Sequence, residues 1–312
     1  MSSHSTLGCT AALLLVLGGC VPGQHPVLPV SAAERPTAPA RMPRGSLVIV
    51  GGGPRVESVM RRFVELAGGP ARARIVVFPM ASELPETGAE AVAELRKLGV
   101  TALARRLTRD EAMVPSSALV LDSATGIWFP GGDQVRLAQV LVGTPVADAI
   151  RARFDAGAVI GGTSAGAAVM STPMITGDER APGGARRDTT QSFLTIARGD
   201  IVLGEGLGLV RDAIVDQHFL RRKRHNRLIS VVLEDAPHLA AGIDESTALV
   251  VQPDGKWRVS GESVVIIYDA RQATISPTGS GALGATDLRM HVLPAGATFD
   301  PKTGVARLGG AR

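Results

Sequence analysis

Short apolar runs that end in small residues recur along the first half of the chain, and they alternate with stretches whose apolar residues return at helical intervals. Runs that are apolar along their whole length are typical of strands buried on both faces. Their alternation with helices indicates an α/β fold, in which a mainly parallel sheet is sandwiched by helices. The predicted strands, with any small-residue endings, lie at 46–53, 73–82, 100–103 and 126–129, and the predicted helices at 56–66, 86–98 and 146–156.

The stretch GAVIGGTSAGAAVM, at 157–170, predicts a buried strand, a tight turn and a helix, with Ser164 at the turn. The spacing of Gly162, Ser164 and Gly166 matches the G-x-S-x-G pattern of a nucleophile elbow, which exposes a serine hydroxyl at the end of a strand. The next amide, that of Ala165, is then placed to stabilise an oxyanion. Taken alone, the pattern favours an ordinary Gly/Ser/Ala turn, so the rest of the chain must supply the partners of a nucleophile.

Glycines accompany three of the predicted strands, at Gly51, Gly131 and Gly161. The carboxyl ends of parallel strands meet at one edge of a sheet, and binding sites form there. We therefore expect the three glycine-rich endings to gather at one site. The GGG at 51–53 lacks the spacing of a dinucleotide fingerprint, and we interpret it as a simple strand-to-helix turn. The GGDQ at 131–134 is expected to open a helix.

The second half of the chain is less regular. The stretch 171–209 has only brief apolar runs, and we interpret it as an insertion that covers or borders the site. The last forty residues contain short apolar runs that we assign to no element. Between these two stretches the pattern predicts a strand at 213–219, followed by a basic helix that runs to 233. It then predicts strands at 240–243 and 248–252, and a hairpin formed by KWRV and SVVIIYD (256–269).

A serine nucleophile needs a general base within hydrogen-bond reach and a third group that orients the base. His218 is the histidine that follows an apolar strand, so we expect it at the same sheet edge as Ser164. His225, among basic residues, is predicted to face solvent. Asp244 and Glu245 end another predicted strand, and either carboxylate could orient the imidazole. A histidine or carboxylate at such a position, considered alone, more often has a structural role.

The composition is that of a globular protein, with 312 residues of which 45% are hydrophobic and 20% charged. A net charge of +4 would suit nucleic acid, but aromatic residues make up only 3% and basic residues are scattered among acidic ones. We therefore expect no nucleic-acid partner. The two cysteines, Cys9 and Cys20, precede the folded part, which excludes a disulfide or a thiolate metal site there. We expect neither a metal nor another cofactor.

The N-terminus has the features of an exported protein. An apolar run at 11–21 is too short to span a bilayer and resembles the h-region of a signal peptide, although no Lys or Arg precedes it. The run ends in Leu-Gly-Gly-Cys, which resembles a bacterial lipobox with Cys20 as the lipidated residue. Prolines recur through 21–45, which we interpret as an extended tether. The predicted organisation is a signal peptide (1–20), a tether (21–45) and one domain (46–312) whose insertion is 171–209, with a lipid anchor as the sole membrane contact.

Four ordered motifs resemble one family. GGTSAGA, GGDQ, DQHF followed by a basic helix, and GIDES-TA are similar to the cyanophycinase branch of peptidase family S51, relatives of the aspartyl dipeptidases, over about 46–268. The resemblance implies a fold like that of class I glutamine amidotransferases and flavodoxin, with C-terminal β-hairpins expected as well, and a homodimer. It also implies a triad of Ser164, His218 and Glu245, in that chain order. The amides of Gly131, Gly132 and Ala165 would form the oxyanion hole.

The resemblance also implies a substrate, the polymer cyanophycin, in which arginine is linked to the side chains of polyaspartate. We therefore expect an exported serine exopeptidase that releases β-Asp-Arg dipeptides. Two alternatives stay open: a dipeptidase for peptides with an acidic N-terminal residue, and a silent binding lipoprotein of the same fold. The insertion at 171–209 is longer than the family pattern leads us to expect and could alter specificity. The residues that match the family's pocket are Gln134, Asp216, Gln217, Arg222, Arg224 and Arg227.

Arginine can bind a carboxylate through two hydrogen bonds, and aspartate can bind a guanidinium. These residue types therefore suit a substrate that carries both groups. Within a regular helix, Arg224 and Arg227 would share a face, whereas Arg222 would point elsewhere and is expected in the turn before the helix. The alternative for all three arginines is a solvated helix face.

Overall fold

A computed structural model of the chain describes residues 43–180, 186–188, 194–234, 237–277 and 281–310. The predicted signal peptide, Cys9, Cys20 and most of the tether lie outside the described residues. In the described part, no helix is both long enough and apolar enough to cross a membrane.

The strands and helices alternate through the first half of the chain, and strands dominate the second half. The helices are α1 (Glu57–Leu66), α2 (Thr87–Lys97), α3 (Arg109–Met113), α4 (Gln134–Leu141), α5 (Pro145–Ala156), α6 (Ala165–Ala168) and α7 (His225–Glu234). The strands are β1 (Leu47–Val50), β2 (Arg74–Val77), β3 (Thr101–Ala104), β4 (Gly126–Phe129), β5 (Val159–Thr163), β6 (Met174–Arg180), β7 (Arg186–Asp188), β8 (Ile201–Gly204), β9 (Ile214–Asp216), β10 (Leu239–Ile243), β11 (Thr247–Val251), β12 (Trp257–Gly261), β13 (Val264–Asp269), β14 (Thr274–Ile275), β15 (Ala285–Thr286), β16 (Arg289–Pro294), β17 (Thr298–Asp300) and β18 (Val305–Arg307).

The central sheet has nine strands in the order β18-β17-β12-β11-β1-β5-β4-β2-β3. The five strands from β1 to β3 in that order are parallel, and β11 joins β1 antiparallel. Strands β1, β4 and β5 are buried at every position, as expected for strands covered on both faces. The prediction of an α/β fold with a mainly parallel core is confirmed.

Helices cover both faces of this sheet because successive side chains of a strand point to opposite sides. On one face, Val48 of β1 belongs to an apolar cluster with Phe63 of α1 and Leu95 of α2. On the other face, Ile49 belongs to a cluster with Leu137 of α4 and Ile150 of α5. The predicted helices are therefore confirmed, and α1 and α2 lie on the same side of the sheet.

The hairpin predicted for 256–269 is wrong, because its two strands lie in different sheets. Strand β12 pairs with β11 and β17 in the central sheet. Strand β13 pairs with β10 and β16 in a four-stranded sheet of order β16-β13-β10-β9. Only Glu262 and Ser263 separate the two strands, so the chain crosses between the sheets there. Antiparallel hairpins do form at β11–β12 and β17–β18, as expected for the C-terminal part.

The described part of the predicted insertion contributes a small sheet of order β7-β6-β8. Strand β6 follows α6 closely in sequence and contacts it. Residues 181–185 and 189–193 of the insertion lie outside the described part of the chain. The insertion therefore borders the segment that carries Ser164.

Candidate active site

Ser164 lies in a sharp turn between β5 and α6, with φ 54° and ψ −114°. A non-glycine residue in this region is strained, and nucleophile elbows have this kind of backbone. The strain is held by neighbours, since the Ser164 amide donates to the Val50 carbonyl at 3.1 Å. The sequence-based prediction of an elbow is confirmed at the level of backbone geometry, although α6 has only four residues.

The two glycines of the elbow are required by close packing. A Cβ at Gly162 would lie 2.4 Å from the carbonyl oxygen of Gly166, and a Cβ at Gly166 would lie 2.1 Å from that of Phe129. No side chain fits at such distances. The strand, the turn and α6 can therefore approach one another only with glycine at both positions.

His218 joins the Ser164 hydroxyl to the Glu245 carboxylate. The Ser164 Oγ donates to His218 Nε2 at 2.9 Å, and His218 Nδ1 donates to Glu245 Oε1 at 2.6 Å. Because a carboxylate only accepts hydrogen bonds, it holds the neutral imidazole in the tautomer that leaves Nε2 free to accept a proton. The imidazole is thus oriented as a base toward the hydroxyl.

Ser164 and His218 come from different sheets, so the expectation that His218 lies at the same sheet edge is wrong. His218 follows β9 of the four-stranded sheet, whereas Ser164 follows β5 of the nine-stranded sheet. The loop after β1 joins the two, because the His218 amide donates to the Gly51 carbonyl at 2.6 Å. His218 itself has a positive φ of 48°. The ends of the two sheets therefore meet at this loop.

The two carboxylates that follow β10 have different partners. Glu245 contacts the imidazole, whereas Asp244 accepts hydrogen bonds from the amides of Leu220 and Arg221 at 3.0 and 3.1 Å. Asp244 therefore fixes the backbone just after His218. The geometry resolves the choice that the residues alone left open, in favour of Glu245 as the partner of the imidazole.

Burial lowers the pKa of the His218 imidazole below its usual value, and the hydrogen bond to Glu245 opposes the change. The positive charges of Arg222 and Arg224 lower this pKa further. The imidazole is therefore neutral at neutral pH, as a general base must be.

Of the three expected oxyanion-hole residues, Gly131 and Ala165 flank Ser164. A Cβ at Gly131 would lie 3.9 Å from Ser164 Oγ, so the Gly131 backbone borders the hydroxyl. Ala165 is the first residue of α6, and such an amide has no acceptor within its own helix. Gly132 has φ 139°, and a Cβ there would lie 2.2 Å from the Ala81 carbonyl oxygen. Gly132 therefore lets the turn pack against the loop after β2.

Asp216 and Arg227 form a buried ion pair with each other. Arg227 Nε donates to Asp216 Oδ2 at 2.7 Å, and Arg227 Nη2 donates to Asp216 Oδ1. The two side chains are 1% exposed. The pair joins β9 to α7, so in this structure Asp216 is engaged with Arg227 rather than open to a guanidinium ligand.

Arg224 is also buried, so the alternative of a solvated helix face is wrong for Arg224 and Arg227. Arg224 lies just before α7 rather than within it, and its Nη1 donates to the Gln217 carbonyl at 2.7 Å. Burial, together with the charge of Arg227, lowers the pKa of Arg224 to about 9, so the guanidinium stays charged at neutral pH. Its Nε makes no hydrogen bond to a described residue.

The other predicted binding residues differ in their burial and in their hydrogen bonds. Gln134 is buried, and its side-chain amide donates to the carbonyls of Ile175 and Thr176, which joins α4 to β6. Gln217 is buried, and its Oε1 makes no hydrogen bond to a described residue. Arg222 is exposed and lies in the turn before α7, as expected.

His225 was predicted to face solvent, and this prediction is wrong. Its Nδ1 lies 2.6 Å from the Tyr268 hydroxyl, and its ring packs edge-on against Phe219. His225 is the first residue of α7, so these contacts attach the helix to β13. The prediction failed because Arg221, Arg222 and Lys223 are exposed, whereas the chain turns inward from Arg224 onward.

The GGG at 51–53 is more than a strand-to-helix turn. A Cβ at Gly52 would lie 2.3 Å from the His218 ring, and a Cβ at Gly53 would lie 2.7 Å from Glu245 Cβ. Both glycines have positive φ. The loop therefore packs directly on the imidazole and the carboxylate, and three consecutive glycines, more than a simple turn needs, were the sequence signal for it.

A cavity of about 920 Å³ opens beside Ser164 and His218. None of the six predicted binding residues is among the described residues that line it. Sequence reasoning missed the charged side chains that line it, because they lie in or just before α1 and in α2, whose sequences carry no catalytic pattern. The cavity is lined by Gly52, Gly53, Pro54, Arg55, Glu57, Met60, Arg61, Glu94, Lys97, Leu98, Gly131, Thr163, Ser164 and His218.

A serine, an imidazole and a carboxylate joined by hydrogen bonds, here where two sheets meet, are the arrangement of a serine hydrolase. The model of peptidase family S51 matches residues 47–258. The chain belongs to peptidase family S51 and is a serine peptidase, as the motifs predicted.

The curated relatives that the chain resembles are cyanophycinases. The chain is 36% identical to a cyanophycinase of Trichormus variabilis over 265 residues, which cover 81% of this chain and 84% of the relative. It is 34% identical to that of Geminocystis herdmanii, over 83% of this chain and 95% of the relative. It is 31% identical to the cyanophycinase of Synechococcus elongatus, over 90% of this chain and 86% of the relative.

A solved structure supports the fold. The crystal structure of a peptidase from an acI-B1 Actinobacterium superimposes with a TM-score of 0.60 and 23% sequence identity, and the match covers 83% of this chain and 98% of that one. At this identity, the likeness shows the fold alone.

Proposed function

We propose that this peptidase hydrolyses cyanophycin and releases β-Asp-Arg dipeptides, with Ser164 as nucleophile, His218 as general base and Glu245 as the group that orients the base. The hydrogen-bonded chain from Ser164 through His218 to Glu245 is the observation that carries the proposal. The three cyanophycinases at 31–36% identity support the choice of substrate.

The geometry supports a two-step acyl transfer. As Ser164 Oγ attacks the scissile carbonyl carbon, its proton passes to His218 Nε2, and the amides of Gly131 and Ala165 stabilise the oxyanion. The imidazolium then gives this proton to the leaving amine, which leaves an acyl-serine ester. In the second step, His218 takes a proton from water, the resulting nucleophile attacks the ester, and the proton returns to Ser164 as the acid product leaves.

Positive charge near the base supports a substrate with free carboxylates. Arg222 is exposed, and its charge acts on the His218 imidazole. A ligand carboxylate is a suitable partner for it, and each arginyl group of cyanophycin carries one. Arg224 is buried and lies 3.6 Å from Asp216, so it supplies positive charge from inside the protein. We assign Gln217 and Arg222 to the same binding region, and the pair of Asp216 with Arg227 to its support.

A dipeptidase for substrates with an acidic N-terminal residue is the second candidate. It is favoured by the engagement of Asp216 with Arg227, which leaves no unpaired carboxylate among the six predicted binding residues for a substrate guanidinium. Comparison of kcat/KM on cyanophycin and on an Asp-Leu dipeptide separates the two. Preference for the polymer supports the proposal, and cleavage of the dipeptide alone would replace it. A silent binding lipoprotein predicts cleavage of neither.

We also propose that the protein is exported and anchored through a lipid on Cys20, and that the mature enzyme is a homodimer. The Leu-Gly-Gly-Cys sequence and the proline-rich stretch behind it support the anchor. Intact-mass analysis of the native protein should find Cys20 as an acylated first residue. A mature N-terminus elsewhere, without acyl mass, would exclude the anchor while leaving secretion possible. Sedimentation equilibrium of the purified protein tests the dimer.

A further inference from the structure

The cavity beside Ser164 has a wall that the proposed mechanism does not use. This wall consists of the segment before α1, the first turns of α1 and the last turns of α2, and we call it the α1–α2 wall. It carries three cationic and two anionic side chains, although acyl transfer by Ser164, His218 and Glu245 requires none of them. They are Arg55, Glu57, Arg61, Glu94 and Lys97.

The charged side chains of the α1–α2 wall form only weak ion pairs with one another. Arg55 Nη2 donates to Glu94 Oε1 at 2.6 Å, and Arg61 Nε donates to Glu57 Oε1 at 2.9 Å. The side chains of Arg61 and Glu57 are 65% and 68% exposed. Pairs so open to water contribute only about 0–1 kcal/mol, so a charged ligand can replace a partner at low cost. Lys97 forms no ion pair with a described residue.

The size of the cavity also indicates a ligand. At about 920 Å³, the cavity is at the upper end of the range of about 300–1,000 Å³ that is typical of small-molecule sites. It therefore has room for more than a single dipeptide.

We propose that the α1–α2 wall is a second subsite, which binds the arginyl group of the polymer repeat on the other side of the scissile bond. This inference rests on the proposed function. Each repeat of the polymer presents a carboxylate and a guanidinium, and the wall presents partners for both. Lys97 and Arg61 would bind the carboxylate, and Glu57 and Glu94 would bind the guanidinium. A plain acidic dipeptide lacks the guanidinium that Glu57 and Glu94 would bind.

Three synthetic substrates and three variants test the subsite. The substrates are a two-repeat oligomer with both arginines, and two matched oligomers that each lack one of them. The variants are Arg61→Gln, Lys97→Gln and, as a control, Arg62→Gln. Arg62 is the neighbour of Arg61 on α1 and forms its own exposed ion pair with Glu65 at 3.1 Å, but it does not line the cavity. kcat/KM is measured for every combination, with the unfolding midpoint as a check of the fold.

We expect Arg61→Gln and Lys97→Gln to lower kcat/KM on the full oligomer by about five- to twentyfold, which is the range for a charged hydrogen bond at a partly exposed site. On one of the two matched oligomers, the same variants should differ from the parent by less than about twofold, because the group that the wall binds is missing there. Arg62→Gln should stay within about twofold on all substrates.

Two outcomes would overturn the subsite while leaving the proposed function intact. One is unchanged kcat/KM of Arg61→Gln and Lys97→Gln on an oligomer that the parent cleaves. The other is an equal loss on all three oligomers, because the loss would then be independent of the arginyl group. If the parent cleaves none of the oligomers, the proposed function fails, and the subsite fails with it.

Discussion

Ser164 and His218 both have a positive φ, of 54° and 48°. A non-glycine residue in a sparsely populated region costs about 1–3 kcal/mol, so such residues persist only where their surroundings hold them. Here the surroundings are two hydrogen bonds to the end of β1, from the Ser164 amide to Val50 and from the His218 amide to Gly51. The positions of the nucleophile and the base therefore both depend on the end of β1 and the loop after it, which carry no reacting group.

The pH dependence of activity reports on the charges around His218. The base must be neutral, so kcat/KM falls as the pH drops through the pKa of His218. Burial and the charge of Arg222 lower this pKa, so the acidic limb should lie below the usual histidine range. Removal of the Arg222 charge in Arg222→Gln raises the pKa and should move the limb to higher pH.

Arg221→Gln is the control for this shift, since Arg221 is an exposed neighbour that does not contribute to the lowered pKa. The measurement is the full pH profile of kcat/KM for the parent and both variants. A limb that stays in place in Arg222→Gln, or moves equally in Arg221→Gln, would show that Arg222 does not act on the base.

Gly52→Ala should inactivate the enzyme although it replaces no reactive group. The new Cβ would lie 2.3 Å from the His218 ring, so the imidazole must move. A displacement of about 1 Å in a catalytic group typically costs about 10²-fold in rate, and we expect a loss of kcat of at least that size.

Gly69→Ala separates this clash from backbone strain. Gly69 also has a positive φ, of 81°, but a Cβ there would meet nothing within 4 Å. Gly69→Ala should therefore lose a little stability and keep its activity. Full kcat in Gly52→Ala, or equal losses in the two variants, would contradict the packing of the loop on the imidazole.

At the scale of the secondary-structure elements, buried charge joins β9 to α7. The pair of Asp216 on β9 with Arg227 on α7 attaches the helix to the strand that leads directly to His218. Removal of one partner of a buried pair leaves an uncompensated charge, which costs about 3–5 kcal/mol. Asp216→Asn is therefore expected to act on stability before it acts on specificity.

Urea unfolding of Asp216→Asn tests this expectation, with Asp254→Asn as the matched change in an exposed pair. Asp254 lies 3.4 Å from Lys256, and both side chains are more than half exposed. We expect a loss of about 3–5 kcal/mol for Asp216→Asn and at most about 1 kcal/mol for Asp254→Asn. Similar free energies of unfolding for the two variants would mean that Asp216 is available for another role.

The elements that the sequence predicted correctly are those whose patterns are local. Strand β4 was predicted at its observed limits because its four residues are all apolar, and α5 because its apolar residues recur at helical intervals between Thr144 and Gly157. The hairpin at 256–269 failed because nothing local distinguishes pairing of β12 with β13 from pairing of each with other strands. Partners across a sheet are set by the whole fold.

For the whole molecule, the site lies where the nine-stranded and four-stranded sheets meet. The residue types of the hydrogen-bonded chain were predictable, since few histidines follow a strand and only two carboxylates follow the next one. Their assembly across two sheets was not, because it depends on Gly51 and Gly52 filling the space between His218 and β1. The charged α1–α2 wall was also missed, because surface charges on helices carry no pattern that differs from solvated ones.

The central claim is that Ser164 cleaves cyanophycin by nucleophilic attack, and release of β-Asp-Arg from the purified polymer tests it most directly. Parent and Ser164→Ala proteins with equal unfolding midpoints are compared under the same conditions. We predict that the parent releases the dipeptide and that Ser164→Ala is slower by about 10⁶-fold, as is typical when a triad serine is lost. Release by Ser164→Ala at even about a tenth of the parent rate, or no release by the parent, would contradict the account.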